Sequence, residues 1–193
     1  MRIVGGRLRG LGLAALGKGD PAAQLRPTAD RVRESLFNVL WSGHRQPAPG
    51  IGVLDLFAGT GALGLEALSR GAGFVTFVDS GRVAQGLIRD NIRKARAEAQ
   101  CRLIAREATR IGPCPDTPAG LVFLDPPYGR SLGAPALAAA RAGGWIAPGA
   151  LVVWEEAAEQ AAPEGFAAIG ARRYGDTHVT LLAAAVDGAD QTG

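Results

Sequence analysis

The segment with the clearest chemical potential is Asp125-Pro126-Pro127-Tyr128, which directly follows the apolar run 121–124. A short apolar run bounded by breakers is typical of a buried parallel strand. The two prolines end the strand and remove two backbone N–H donors, but their carbonyl oxygens remain beside a carboxylate and an aromatic ring. Since open α/β sheets bind ligands at the carboxyl ends of their strands, this segment predicts a site for an amino group on a flat ring, such as a nucleobase.

A second candidate site is a glycine-rich loop that contains Gly59, Gly61 and Gly64. Glycines let the backbone turn sharply and approach a ligand closely, and the helix predicted after the loop adds the positive end of its dipole. Asp79 ends the next predicted strand, twenty residues after Gly59. A carboxylate there can accept hydrogen bonds from both hydroxyls of a ribose, so we predict a cofactor that contains ribose.

The glycine spacing alone does not identify the cofactor, because it also matches the dinucleotide-binding fingerprint. Asp55 precedes the loop, where a carboxylate would repel a pyrophosphate but could hold a cationic amino group. The Asp125–Tyr128 segment has no role in hydride transfer. Both features favour S-adenosylmethionine over a nicotinamide cofactor, and titration with each cofactor would distinguish the two.

The predicted elements bring these segments to one edge of a sheet. Strands alternate with helices, which favours a mostly parallel sheet with helices on both faces. A turn at Gly175-Asp176 predicts a closing hairpin and therefore an antiparallel strand. The predicted strands are 51–56, 74–78, 103–104, 121–124, 150–154, 166–174 and 178–185, and helices are predicted over 62–70, over 82–97 and around 137–141.

Charge divides the 193 residues unevenly. Residues 1–47 carry eight basic and three acidic side chains, a net charge of +5, whereas the remainder is net −2. We expect 1–47 to be an extension, a hairpin plus a helix with Thr28 as its N-cap. Its charge suggests a segment that binds a polyanion, and charge alone fits a solvated arm equally well. We expect 48–186 to be the catalytic domain and 187–193 to be frayed.

Several classes of protein are disfavoured by composition. No apolar run approaches the roughly 18 residues of a membrane-spanning helix, and the N-terminus lacks a secretion signal. Cys101 and Cys114 make neither a disulfide framework nor a zinc site. We therefore expect a cytoplasmic protein with reduced thiols, no metal, no membrane contact and no obligate protein partner, acting as a monomer.

The two motifs resemble those of a known class of enzyme. The loop with Asp55, Phe57, Gly59 and Gly61 is similar to the first motif of class I S-adenosylmethionine-dependent methyltransferases. The Asp125–Tyr128 segment resembles the motif of those members that methylate exocyclic amines of nucleobases. The resemblance implies that all four residues from Asp125 to Tyr128 are catalytic, with Asp125 and the Pro126 carbonyl holding the amine and Tyr128 stacking on an extruded base.

Segments 1–10, 25–38 and 55–71 narrow the resemblance to the RsmD family of bacterial 16S rRNA guanine-N2 methyltransferases. The similarity covers most of residues 1–130 and thins beyond them. It implies a Rossmann-like, seven-stranded sheet with its last strand antiparallel, and a substrate in the small ribosomal subunit or its assembly intermediate. The implied cofactor contacts are Asp55, Phe57, Gly59, Gly61, Asp79, Glu107 and Ala108. Glu107 stands where the family usually has Asp, near the cofactor adenine.

The basic extension supplies candidate contacts to RNA phosphates, which would give salt-dependent affinity with little sequence information. These candidates are Arg7, Arg9, Arg26, Arg31 and Arg33. The alternative for the last two is pairing with Asp30 or Glu34 on the same helix.

Two other functions compete with this interpretation. One is an adenine-N6 DNA methyltransferase, since Asp-Pro-Pro-Tyr also serves adenine. It is disfavoured because 64 positions between Gly61 and Asp125, and 65 residues after Tyr128, leave little room for a domain that reads DNA. The other is an inactive RNA-binding assembly factor, which the intact motifs argue against.

Overall fold

The structure is a computed structural model that describes residues 1–15, 30–42 and 46–186. The expected N-cap Thr28 and the tail 187–193 lie outside the described residues. The strands in this part of the chain are β1 (Gly52–Leu56), β2 (Phe74–Val78), β3 (Cys101–Ile104), β4 (Ala119–Leu124), β5 (Ile146–Glu156), β6 (Phe166–Tyr174) and β7 (Thr177–Ala184). The α-helices are α1 (Asp30–Ser42), α2 (Ala62–Ser69), α3 (Arg82–Ala95) and α4 (Gly133–Ala142).

The strands form one sheet in the order β3-β2-β1-β4-β5-β7-β6. Neighbours from β3 to β5 are parallel, and β7 runs antiparallel to both β5 and β6. The order reverses between β1 and β4, which creates the crevice where open α/β sheets bind ligands. The prediction of a Rossmann-like sheet with an antiparallel C-terminal strand is therefore confirmed.

The predicted bounds of the fifth strand are wrong at both ends. It was predicted over 150–154, whereas β5 extends from Ile146 to Glu156. Pro148 and Gly149 interrupt the apolar signal near its start, and the register shift between Ala119 and Leu121 on β4 accommodates this irregular region. At its other end the strand continues into two acidic residues, which carry no strand signal of their own.

Alternation along the strands sends apolar side chains to two separate clusters, one on each face of the sheet. On β1, Val53 packs into the first cluster while Leu54 and Leu56 pack into the second. Helices α1, α2 and α3 cover the first face and α4 covers the second. Helices therefore lie on both faces, as predicted. Within the described ranges, no helix combines the length and apolarity needed to cross a bilayer.

Residues 1–15, here called the N-terminal ribbon, pack into the first cluster through Ile3 and Leu13. Antiparallel backbone bonds join its two halves: the Ile3 N–H donates to the Leu11 carbonyl at 3.0 Å and the Leu13 N–H to the Met1 carbonyl at 3.1 Å. The predicted hairpin is thus confirmed over these residues, and α1 supplies the helix. The ribbon shares the core of the sheet rather than standing apart as a free arm.

Helix α2 holds the ribbon along its length. The buried Glu66 accepts a hydrogen bond from the Val4 N–H at 2.8 Å, and the Ser69 hydroxyl donates to the Gly5 carbonyl at 2.6 Å. Gly6 lies so close to the end of α2 that a Cβ would stand 1.9 Å from the Ser69 carbonyl oxygen. Its φ of +71° adds a second reason for glycine.

Candidate active site

The carboxyl ends of β1, β2 and β4, here called the carboxyl edge, bring the predicted acids together. Asp55 is the penultimate residue of β1, while Asp79 and Asp125 directly follow β2 and β4. The Asp125 N–H points to the Leu56 carbonyl at 3.4 Å. The residues after β4 are therefore tied to the end of β1, where the glycine loop begins.

The glycine loop, residues 57–61, turns sharply at the end of β1. Gly59 and Gly61 adopt φ values of 57° and 77°, and Phe57 adopts 60° although it carries a side chain. Such a conformation costs on the order of 1–3 kcal/mol and tends to occur at functional sites. The Gly61 N–H donates to the Ala58 carbonyl at 2.7 Å, which closes the turn.

Asp79 fixes this loop to the end of β2. Its Oδ2 accepts the Gly59 N–H at 2.9 Å and its Oδ1 accepts the Gly81 N–H at 2.8 Å. Burial raises the pKa of Asp79, and the two backbone hydrogen bonds oppose that rise. Because each carboxylate oxygen has a second lone pair, Asp79 retains acceptor capacity for hydroxyls of a ligand.

Asp55 is buried and faces the start of α2, where its Oδ2 accepts the Gly64 N–H at 2.9 Å. Burial raises the pKa of Asp55 to about 8. A Cβ at Gly64 would lie 2.5 Å from Phe77 Cε1 and 2.7 Å from Val75 Cγ1, so a glycine is needed for α2 to approach β2 closely. A buried acid with a raised pKa favours a cationic ligand group beside it.

Glu107 and Ala108 follow β3 on the same edge but differ in environment. Ala108 is buried in the second cluster. Glu107 is exposed, and its Oε2 lies 3.7 Å from Arg110 Nε. Their predicted contact with a cofactor adenine stays a prediction.

The segment after β4 brings a carboxylate, carbonyl groups and an aromatic ring together. Pro126 is buried, Pro127 is exposed, and Asp125 and Tyr128 are each partly exposed. The Tyr128 hydroxyl lies 3.4 Å from Glu155 Oε1 and 3.3 Å from Thr177 Oγ1. Burial raises the pKa of Tyr128 to about 12, so its hydroxyl stays protonated and able to donate.

Sequence reasoning missed Glu155 and Glu156, the buried last two residues of β5. Desolvation raises the pKa of Asp125 well above its ordinary value, and the charges of Glu155, Asp55 and Glu156 raise it further, in that order. The signal that could have revealed the pair is the one that identified Asp125, an acid directly after an apolar strand.

The arginine predictions need one correction. Arg33 is fully buried, its Nη2 lies 2.8 Å from Asp30 Oδ1, and the same nitrogen donates to the Arg2 carbonyl. It is therefore not available to RNA phosphates and instead takes the alternative role of pairing with Asp30. The reason is helical spacing, because Arg33 precedes the buried Leu36 and Phe37 by three and four residues.

The other predicted RNA contacts are distributed over the extension. Arg7, Arg9 and Arg31 are exposed, and Arg7 Nη2 donates to Gln100 Oε1 at 2.9 Å. Arg26 lies outside the described residues. No group of three or more metal-binding side chains occurs in the described part of the chain.

The fold and the acids at its carboxyl edge identify this protein as a methyltransferase with a Rossmann-like sheet. The family model described as conserved hypothetical protein 95 matches residues 1–183. The chain is 40% identical over 167 residues, 84% of its length and 78% of the relative's, to ribosomal RNA small subunit methyltransferase D of Escherichia coli strain K12. The chain belongs to this family, the RsmD family that its motifs resemble.

Two further comparisons agree with this assignment. The Haemophilus influenzae protein of the same name is 34% identical over 158 residues, which cover 80% of this chain and 78% of that protein. The solved structure of yhhF from Escherichia coli matches with a TM-score of 0.80 and 33% identity, over 97% of this chain and 99% of that chain. The similarity therefore extends beyond residue 130, where the motifs alone thin out.

Proposed function

We propose that this protein transfers a methyl group from S-adenosylmethionine to the exocyclic N2 amine of a guanine in the 16S rRNA of the small ribosomal subunit. The observation that carries the proposal is the bond from the Asp125 N–H to the Leu56 carbonyl, because it ties the Asp125–Tyr128 segment to the end of β1, where the glycine loop begins. The relatives are named as methyltransferases of small-subunit ribosomal RNA. Their name supports the choice of substrate.

The residues of the glycine loop suit S-adenosylmethionine. Gly59 and Gly61 carry no side chain and adopt positive φ, so the loop would offer bare backbone to a ligand. Asp79 would hold the ribose hydroxyls, and Asp55 would face the cationic amino group. Phe57, Gly59 and Ala108 would line the rest of the site, with Glu107 reaching the adenine. When bound, this cofactor would supply an electrophilic methyl carbon.

The chain's own contribution to catalysis is positioning and electrostatic preorganisation. A guanine N2 amine is a poor nucleophile because its lone pair conjugates with the ring. Asp125 and the Pro126 carbonyl would accept hydrogen bonds from the two N–H groups of this amine and favour the pyramidal nitrogen of the transition state. Tyr128 would stack on the extruded base. The raised pKa of Asp125 makes its carboxylate a stronger base for the proton that the nitrogen loses.

The RNA would be held by the extension. Arg7, Arg9 and Arg31 are exposed and would contact phosphates, and Arg26 remains a candidate from the sequence. The particle would be the small subunit or its assembly intermediate. We also propose that the enzyme acts as a monomer in the cytoplasm.

The test is transfer of labelled methyl groups from S-adenosylmethionine to small ribosomal particles from a strain that lacks the modification. Digestion of the rRNA to nucleosides, followed by mass mapping, should find the label on the N2 atom of one guanine. Label found only on adenine, or only on DNA added as a competitor, would overturn the choice of substrate. Absence of transfer to any nucleic acid, with cofactor binding retained, would favour the inactive assembly factor.

A further inference from the structure

Glu155 lies beside Asp125, on the same face of the sheet. The last residue pair between β4 and β5 is Leu124 with Trp154. Asp125 and Glu155 come next on the two strands and are therefore neighbours. Adjacent strands are about 4.8 Å apart. Among the charged groups that raise the pKa of Asp125, Glu155 makes the largest contribution, in accord with this closeness.

Glu155 also lies close to Tyr128, whose ring would stack on the base. The Tyr128 hydroxyl lies 3.4 Å from Glu155 Oε1 and can donate to only one acceptor at a time, whereas a carboxylate offers about four acceptor positions. Thr177 Oγ1 lies 3.3 Å from the same hydroxyl and offers it an alternative partner. Glu155 can therefore accept a further hydrogen bond from a base on the Tyr128 ring.

Two neighbouring carboxylates match the Watson–Crick edge of guanine better than that of adenine. Guanine presents two adjacent groups of donors on its Watson–Crick edge, the N1–H and the N2 amine. Adenine presents one donor group, the N6 amine, beside the lone pair of N1. A carboxylate that faces N1 therefore accepts a hydrogen bond from guanine but meets a lone pair on adenine, and an unpaired buried polar group is costly.

We propose that Glu155 reads the N1–H of the target guanine while Asp125 holds the exocyclic amine. This inference rests on the proposed function and deepens it, because Asp-Pro-Pro-Tyr alone serves both purines. Glu155 is then a determinant of base specificity. If Glu155 acted only by orienting Tyr128, its removal would slow methylation of every base to the same degree.

The test compares guanine with 2-aminopurine at the target position, which the mapping experiment above identifies. 2-Aminopurine keeps the 2-amino group but carries a lone pair in place of the N1–H. Synthetic RNA segments with either base would be ligated into 16S rRNA and reconstituted into particles. We expect the wild-type enzyme to favour guanine in kcat/KM by about 10- to 150-fold, the usual contribution of one hydrogen bond to a charged group.

Glu155→Gln should bring this preference close to unity, because its amide can donate to the N1 lone pair of 2-aminopurine. Glu156→Gln is the matched control, since Glu156 is the next residue and its Oε1 accepts the Ala157 N–H at 3.0 Å. It should keep the preference for guanine. Thr177→Val removes the alternative partner of the Tyr128 hydroxyl and should affect both bases equally.

Two outcomes overturn the inference: a preference for guanine that survives in Glu155→Gln, or a wild-type enzyme that uses both bases equally. The second needs no variant, so the inference stays testable if Glu155→Gln does not fold. Glu155→Asp keeps the charge and should keep the preference at a lower rate. A wild-type enzyme that methylates guanine and 2-aminopurine equally refutes only the role of Glu155, whereas one that methylates neither refutes the proposed function.

Discussion

Buried acidic side chains lie both at the carboxyl edge of the sheet and where α2 meets the N-terminal ribbon, but their neighbours differ. Along the ribbon, Glu66 forms a 2.8 Å ion pair with Arg70 and accepts the Val4 N–H. At the carboxyl edge, Asp125 lies among other acids that raise its pKa. No ion pair in the described residues includes Asp55 or Asp125. The first arrangement stabilises the fold, whereas the second costs stability and is typical of a functional site.

The two regions are also joined. The buried Asn91 side chain accepts the Ala14 N–H at 2.7 Å and donates to the Thr60 carbonyl in the glycine loop at 2.8 Å. From the glycine loop the ribbon runs alongside α2 as far as Ser69. The eight residues of α2 span about 12 Å. Arg7 thus lies near the far end of α2 from the loop. An RNA that contacts both Arg7 and the carboxyl edge must cover at least this distance.

The largest expected effect on stability comes from removing Glu66, the paired acid of α2 that holds the ribbon. Glu66→Ala leaves Arg70 and the Val4 N–H without their buried acceptor, which typically costs about 3–5 kcal/mol. Equilibrium denaturation in urea would measure the loss. If Glu66→Ala unfolds at the same urea concentration as the wild type, the ribbon is not held as the contacts indicate.

The acids of the carboxyl edge should make the free enzyme less stable as pH rises. Burial raises the folded pKa of Asp55 from 3.8 to about 8, so within this window the folded state binds more protons than the unfolded state. The free energy of unfolding therefore falls between pH 5 and pH 8, by up to about 4 kcal/mol at roughly 1.4 kcal/mol per unit. Asp55→Asn should flatten this fall, and an unchanged profile would contradict the burial of an ionisable Asp55.

A smaller effect is expected where the glycine loop leads into α2. Gly64→Ala forces a methyl group against Phe77 and Val75, at 2.5 and 2.7 Å in the present geometry. Overpacking of this kind costs about 1–3 kcal/mol, and shifting α2 should also weaken cofactor binding, measured by calorimetric titration. Gly86→Ala on α3, where a Cβ meets nothing within 4 Å, is the matched control. Equal cofactor affinity in the two variants would refute the close-packing role of Gly64.

The smallest effect concerns the exposed arginines of the ribbon. Replacing Arg7 and Arg9 by Ala should lower the slope of log K for RNA against log salt by about 0.7–0.9 per lost phosphate contact. Arg172→Ala on the edge strand β6, also exposed, controls for general charge. An unchanged slope in the double variant would mean that these arginines are solvated rather than bound to RNA.

Strands β1, β2 and β4 were largely predictable because each is a short, mainly apolar segment that starts at or just after a glycine or proline. The glycine loop, Asp79 and Asp125 were predictable for the same reason, since they directly follow such runs. The hydrophobic pattern of α1 did not reveal that Arg33 is buried, because an arginine is counted as polar even where it occupies a core position of the helix. Nor did the sequence pattern reveal Glu155, whose neighbours Asp125 and Tyr128 are distant in sequence and meet it only across the sheet.

The most direct test of the contrast between the two regions is a paired measurement on Asp125→Ala and Glu66→Ala. Asp125→Ala should lower methyl transfer at least about a hundredfold, leave cofactor binding nearly intact, and keep or raise the free energy of unfolding at pH 7. Glu66→Ala should instead lower that free energy. If Asp125→Ala destabilises the protein as much as Glu66→Ala does, or abolishes cofactor binding along with turnover, Asp125 has a structural role and does not hold the base.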